Sequence, residues 1–156
     1  MIRTVSLCVI RRGDEILLEE TFDKNTSTTY YRPVGGTVEI GENSRQTVIR
    51  EVKEEINAEI SEPKLLGVIE NIFKVQDQIG HEIDFIYEAT LMETSLYKQE
   101  EIKGTEGDKT YYAVWKSLND IKDNENIKLV PDGLAELIEA EVCKSTMISH
   151  VTTRLP

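Results

Sequence analysis

Read for the spacing of its apolar positions, the chain divides into short strands arranged around two helices. Residues 2–10 alternate in part, residues 15–20 carry Ile16-Leu17-Leu18, and Arg12-Gly13-Asp14 between them reads as the turn of a β-hairpin. Residues 22–29 are polar and read as a connecting loop. Tyr30 to Val34 and Thr37 to Ile40 read as two short strands separated by Gly35-Gly36. Leu65 to Phe73 is an apolar run that predicts a buried strand, followed by a polar loop to Gly80. His81 to Met92 then alternates, with Ile83, Phe85, Tyr87 and Ala89 on one face and Asp84, Ile86 and Glu88 on a more polar one. Tyr97 to Lys109 holds Gly104 and Gly107, is the most polar stretch, and predicts a flexible connection. Tyr111 to Trp115 is a strand of β-formers followed by a short turn, Ser117 to Ile121. Pro131 opens a second helix, in which Leu134, Leu137, Ile138 and Val142 fall three or four apart and form one buried face. From Lys144 onward no period stands out.

The first helix is marked at both ends. Asn43 is a good N-cap, and Gln46, three residues on, completes a capping box. Asn57 suits the left-handed position after a last helical turn, and Pro63 forbids a long continuation. Between the caps, Val48, Val52 and Ile56 fall four apart with Ile49 beside them, the stripe that an amphipathic helix buries against a sheet.

Glu51, Glu54 and Glu55 adjoin that stripe within an arc of roughly 100°, so the three carboxylates converge, while Arg50 is expected to point away from them. Like charges three and four apart cost a helix about 0.2–0.5 kcal/mol per pair. No lysine lies within their arc to relieve the repulsion. Carboxylates clustered in this way suit a hard divalent cation, Mg²⁺ or Mn²⁺, which keeps open positions for water and phosphate oxygens.

Composition narrows the setting. With 156 residues, 39% hydrophobic and 30% charged, the chain predicts a single domain over residues 1–156 with a proper core. No run approaches a membrane span, and the start of the chain lacks the pattern of a secretory leader, so the cytoplasm is the expected location. A net charge of −11 disfavours capture of nucleic-acid polymers or anionic membranes. Cys8 and Cys143 form neither a zinc spacing nor a disulfide framework and read as small packed residues.

The helix and the glycines before it also carry a family signature. Gly36, five residues, Glu42, seven residues, then Arg50-Glu51-Val52-Lys53-Glu54-Glu55 followed by Asn57-Ala58 resembles the Nudix box. A solvated face would account for EVKEE alone but not for the whole spacing. The sequence departs from the pattern at Asn57, where the family has glycine, and at Val34, which separates Pro33 from Gly35-Gly36.

The resemblance implies a Nudix-like α/β/α sandwich, with a mixed, partly closed β-sheet of about six or seven strands between helices. It further implies metal-dependent hydrolysis of a nucleoside diphosphate linked to another moiety X, with water attacking phosphorus. In the family's pattern Glu51, Glu54, Glu55 and the backbone carbonyl at Gly36 hold Mg²⁺ (or Mn²⁺), Arg50 orients a box glutamate by ion pairing, and Glu42 braces the loop. A further carboxylate comes from a later loop, for which Glu106 is the choice here. Either Glu51 or Glu106 serves as the proton acceptor.

Arg32, Glu39, Glu70 and Asp84 are the substrate-binding candidates. Phe22, Tyr30, Tyr31, Phe73 and Tyr111 are stacking candidates that fit a core equally well. The implied partner is a small nucleotide or other diphosphate, with a homodimer left open. Two other readings share the fold: a catalytically altered nucleotide-binding or sensor module, and a prenyl diphosphate isomerase, for which no cysteine stands near the box.

Overall fold

One ten-residue strand, Thr28–Thr37 (β4), joins the two halves of a mixed sheet. The computed structural model describes residues 1–122, 124–142 and 149–152. Within them the strands are Arg3–Val9 (β1), Arg11–Arg12 (β2), Glu15–Asp23 (β3), β4, Lys64–Val75 (β5), Gln78–Glu88 (β6), Glu101–Glu106 (β7), Lys109–Ser117 (β8), Ile127–Leu129 (β9) and Ser149–Thr152 (β10). The helices are Ser44–Ile56 (α1), Leu118–Lys122 (α2) and Leu134–Val142 (α3), with a 3-10 turn at Thr94–Lys98. The sheet runs β10-β5-β6-β1-β4-β3-β8-β7, with β2 on β3 and β9 on β4. It is open, with β10 and β7 at its two ends, and not partly closed as expected.

The layering is an α/β/α sandwich. Val48, Val52 and Ile56 of α1 pack with Cys8, Leu17, Val34, Ala113 and Trp115 on one face of the sheet. Leu134, Leu137 and Ile138 of α3 pack with Val5, Leu7, Leu18, Ile69 and Ile86 on the other. Adjacent residues of β1 and β3 therefore serve opposite cores, which is why both strands read as apolar runs and not as clean alternation. Cys8 lies wholly buried in the first core, where burial pushes its thiol up to about 12 and keeps it inert. Cys143 lies outside the described residues. Among the described residues no helix is long and apolar enough to cross a membrane.

Several expected boundaries move, each for a reason visible in the packing. The predicted first hairpin shrinks to β2 on β3, because β1, apolar on both faces, takes β4 on one edge and β6 on the other. Residues 22–29 lengthen β3 and β4 into a hairpin. Gly35 and Gly36 do not end a strand but continue β4 past β1. A Cβ on Gly35 would lie 2.0 Å from the Ser6 carbonyl, so only glycine permits the approach. Thr37 is the last residue of β4, and Val38 to Ile40 form no strand. The polar loop before Gly80 is a tight turn at Gln76 and Asp77, both with positive φ, between β5 and β6.

The supposedly flexible Tyr97–Lys109 stretch is mostly β7, paired to β8 through a turn at Gly107. Its alternation was hidden because Gly104 takes an inward position: a Cβ there would lie 2.5 Å from the Tyr111 ring. The second helix begins at Leu134, three residues after Pro131, whose carbonyl accepts the Leu134 amide at 3.1 Å. On β6 the face expected to be polar is the more buried one: Asp84 and Ile86 are both 0% exposed.

Asp84 thus lies inside the protein, and neither of its carboxylate oxygens has a hydrogen-bond partner. Burial first, then the adjacent Glu82, pushes it up to about 8 from an ordinary 3.8. The folded protein holds a proton here that the unfolded chain has released, so stability falls as pH rises from about 4 to about 8. The slope is at most about 1.4 kcal/mol per pH unit. Asp84→Asn is expected to flatten this slope and to melt higher than the parent above pH 8. Thermal melts across that range measure it, and an unchanged slope would refute the buried proton.

Candidate active site

The caps set the position of α1 along the sheet. The Asn43 side chain accepts the Gln46 amide at 2.8 Å, and the Gln46 side chain accepts the Asn43 amide at 2.9 Å. At the other end Asn57 adopts φ 53° and ψ 44°, the left-handed cap. Asn57→Gly should leave the melting temperature nearly unchanged. Asn57→Val should cost about 1–2 kcal/mol, since a β-branched residue resists that conformation. A harmless valine, judged by denaturant midpoint, would contradict the cap.

Arg50 does not point away from the glutamates. Its Nη1 donates to Glu51 at 2.8 Å and to Glu54 at 3.2 Å, its Nε and Nη2 grip Glu42 at 2.7 and 2.8 Å, and Nη2 also donates to the Thr37 carbonyl at 3.1 Å. Arg50 and Glu54 are helical neighbours four apart, and the long side chain reaches both. Glu42 further accepts from Thr47 at 2.7 Å. The Arg50 and Thr47 hydrogen bonds hold the Glu42 carboxyl down at about 2. This frame ties the loop after β4 to α1 and fixes the direction of Glu51.

Glu51 projects over Gly36. A Cβ on Gly36 would lie 2.4 Å from its Cδ and 2.6 Å from each oxygen. Gly36→Ala is therefore expected to displace the carboxylate rather than the backbone. The melting temperature should barely change, while kcat falls about 10²-fold from a misplacement near 1 Å. An unchanged kcat would mean that this seat has no catalytic importance.

Glu55 is 5% exposed. Its Oε1 accepts the Tyr111 hydroxyl at 2.6 Å, and its Oε2 has no partner. Burial first, with Glu51, Glu19 and Glu106 nearby, pushes its carboxyl up to about 9 despite the Tyr111 hydrogen bond. One oxygen each of Glu19, Glu55 and Glu106 lies within 4.8 Å of the others. Arg32 donates to Glu19 at 3.2 Å and to the Gly35 carbonyl at 3.3 Å, and burial raises the Glu19 pKa against this pairing.

Glu55, Glu106 and Arg32 wall a cleft of about 460 Å³, lined also by Arg3, Gly36, Glu39, Glu51 and Glu54, and Glu19 lies behind that wall with one oxygen within 4.8 Å of Glu55 and Glu106. Arg3 is held by Glu82 at 2.9 Å and Thr37 at 2.8 Å. Beyond Arg32, which lines both, opens a second pocket of about 380 Å³ with Tyr30, Phe73, Asn71, Lys74 and Lys128 in its wall. Phe73 lies across Gly80, where a Cβ would meet the ring at 2.3 Å.

Among the expected site residues, Gly36, Glu39, Glu51, Glu54, Glu55, Glu106 and Arg32 share the cleft. Arg50 braces it from behind. Glu70 lies on β5 and lines neither pocket, and neither does the buried Asp84. Of the stacking candidates, Tyr30 and Phe73 line the second pocket and Tyr111 serves Glu55, while Tyr31 is buried and donates to Glu20 at 2.6 Å, and Phe22 is exposed. Glu19 and Arg3 were missed. Glu19 had a signal, for alternation places it on the face of Leu17, beneath α1.

The donor set fits a divalent cation. It consists of oxygens alone, it is rich in carboxylates, and it includes a buried oxygen with no partner, which a hard cation would satisfy. Comparison with known proteins agrees with this chemistry. The NUDIX domain family matches residues 1–137. The Nudix hydrolase YvcI of Bacillus subtilis (strain 168), itself described as uncharacterized, is 31% identical over 131 residues, covering 83% of this chain and 73% of that protein.

Two solved structures share the fold. A NUDIX hydrolase from Nitrosomonas europaea superposes with a TM-score of 0.64 at 19% identity, covering 91% of this chain and 89% of its own. A MutT NUDIX hydrolase from Burkholderia pseudomallei gives 0.61 at 21% identity, covering 88% of this chain and 97% of its own. With the signature of residues 36–58 inside the matched region and its helix glutamates Glu51, Glu54 and Glu55 gathered in one cleft, the chain belongs to the Nudix hydrolase family.

Proposed function

We propose that this hydrolase cleaves a phosphoanhydride of a nucleoside diphosphate linked to a second group, with Mg²⁺ or Mn²⁺ in the cleft bounded by Glu51, Glu54, Glu55 and Glu106. The carrying observation is the buried, unpartnered oxygen of Glu55 beside those carboxylates. Glu51, Glu54, Glu55 and the Gly36 carbonyl are the groups that would hold the metal. When bound, it neutralises the diphosphate, polarises its oxygens and acidifies the attacking water.

The chain supplies the rest. Glu51 takes the proton of the attacking water, and Arg50 holds its carboxylate in place through a 2.8 Å hydrogen bond. Arg3 and Arg32 offer guanidinium groups along the cleft to phosphate oxygens, and Arg32 also fronts the second pocket. That pocket, with Tyr30 and Phe73 in its wall, suits the flat or sugar-bearing end of the substrate. A catalytically altered binding module would not need a full set of carboxylates, so their retention favours turnover.

The test is a screen of nucleoside triphosphates, nucleotide sugars, dinucleoside polyphosphates and ADP-ribose, with Mg²⁺ and with Mn²⁺, in ¹⁸O-labelled water. Phosphorus products carrying the label are expected from at least one class. Tight binding without any product would establish the sensor reading instead.

A further inference from the structure

We propose that Glu19, which lies outside the signature, is a ligand of a divalent cation held together with Glu55 and Glu106, and that Arg32 is the counter-ion which this cation displaces. Three elements supply the carboxylates: β3, α1 and β7. One oxygen from each lies within 4.8 Å of the other two, close to the diameter of an octahedral Mg²⁺ sphere, about 4 Å. The second observation is Glu55 itself. It is 5% exposed, is fixed through Oε1 by Tyr111, and has its other oxygen without a partner. A cation at the centre of the three carboxylates would satisfy that oxygen.

Among the described residues the cationic partner of Glu19 is Arg32, directly opposite it in the β3–β4 register. A guanidinium spreads a single charge over a planar fork, whereas a dication meets all three carboxylates at short range, so the dication wins the competition for Glu19. Arg32 then keeps the Gly35 carbonyl and turns its freed donor toward the cleft, where phosphate would lie. Cation binding thereby prepares anion binding, and by linkage the anion tightens the cation. This last step rests on the hydrolase reading above; the metal site does not.

The test is Mn²⁺ binding to the full chain without substrate, by electron paramagnetic resonance of free Mn²⁺, together with the metal-induced rise in melting temperature. Glu19→Gln is expected to weaken the tightest Mn²⁺ about tenfold or more and to shrink the thermal shift. Arg32→Gln, which removes the competing charge, is expected to tighten Mn²⁺ binding. If Glu19 and Arg32 form only a cross-strand ion pair, Mn²⁺ affinity stays unchanged in both variants, and that result overturns the proposal.

Should Glu19→Gln fail to fold, Glu19→Asp keeps the charge opposite Arg32 and withdraws the oxygen by one methylene. Weaker Mn²⁺ binding in that variant supports the site, and unchanged binding refutes it. Turnover measured on the same preparations separates the two readings. Opposite Mn²⁺ effects without hydrolysis of any diphosphate would defeat only the function proposed above, and hydrolysis with unchanged Mn²⁺ binding would defeat only the role of Glu19.

Discussion

Chelation of divalent cations is expected to abolish turnover, and added Mg²⁺ or Mn²⁺ to restore it. Glu51, Glu54, Glu55 and Glu106 line one cleft, with Glu19 within 4.8 Å of Glu55 and Glu106, on a chain whose net charge is −11. Against them stand Arg3, Arg32 and Arg50. Arg50 is already spent on Glu42, Glu51 and Glu54, and Arg3 on Glu82. A diphosphate entering this field without metal meets repulsion, and its leaving group gains no stabilisation. Cations reverse the local sign. They bind the folded state alone, so they should also raise the melting temperature.

The same chemistry fixes the pH trend. Without metal the Glu55 carboxyl, pushed up to about 9, keeps its proton at neutral pH, so the cation must displace that proton and binds more tightly as pH rises toward 9. Undiminished turnover in excess chelator would defeat the metal-dependent reading outright.

The helix was legible in the sequence because everything that defines it is local. Asn43 and Gln46 cap it through hydrogen bonds within four residues, Asn57 ends it in the left-handed region, and its apolar stripe packs as its period says. The glutamate cluster followed from the same geometry. What the chain did not disclose is pairing at long range. The path of β1 between β4 and β6, the edge strand β7 and the parallel β10 all depend on partners far along the sequence.

The site shows the same division. The carboxylates on α1 follow from spacing, whereas Arg3 reaches the cleft and Glu19 reaches Glu55 and Glu106 through strand register; alternation sets the face of Glu19, but nothing local says that this face meets the site. Asp84 and Glu70 misled for the converse reason: a polar residue in an apolar strand signals a site only when its face opens on a cavity, and the Asp84 face is closed. Arg50 meets Glu51 and Glu54 through the reach of its long side chain, which its angular position on the helix does not convey.

Glu51→Gln is expected to lower kcat by about 10²–10⁴ at saturating metal and substrate, the range for loss of a general base, and added Mn²⁺ should not restore it. Three features favour Glu51 as the acceptor. Its carboxylate projects over Gly36, where no side chain competes for the space; Arg50 fixes its orientation at 2.8 Å; and at 15% side-chain exposure it stays in contact with the cleft. Glu55, by contrast, is buried and tied to Tyr111, and Glu54 is largely exposed, so Glu54→Gln and Glu55→Gln should behave as metal-site lesions, partly rescued by higher metal concentration.

Glu106 stands at the end of β7, beside the Gly107 turn and away from the Arg50 frame. Glu106→Gln should therefore cost less in kcat than Glu51→Gln and show mainly in metal affinity. Steady-state kinetics across a metal titration separate the cases, because a lost ligand shifts the metal midpoint while a lost base lowers the plateau. If Glu106→Gln lowered the plateau most and added Mn²⁺ restored Glu51→Gln, the proton acceptor would be Glu106, and Glu51 would be a ligand alone.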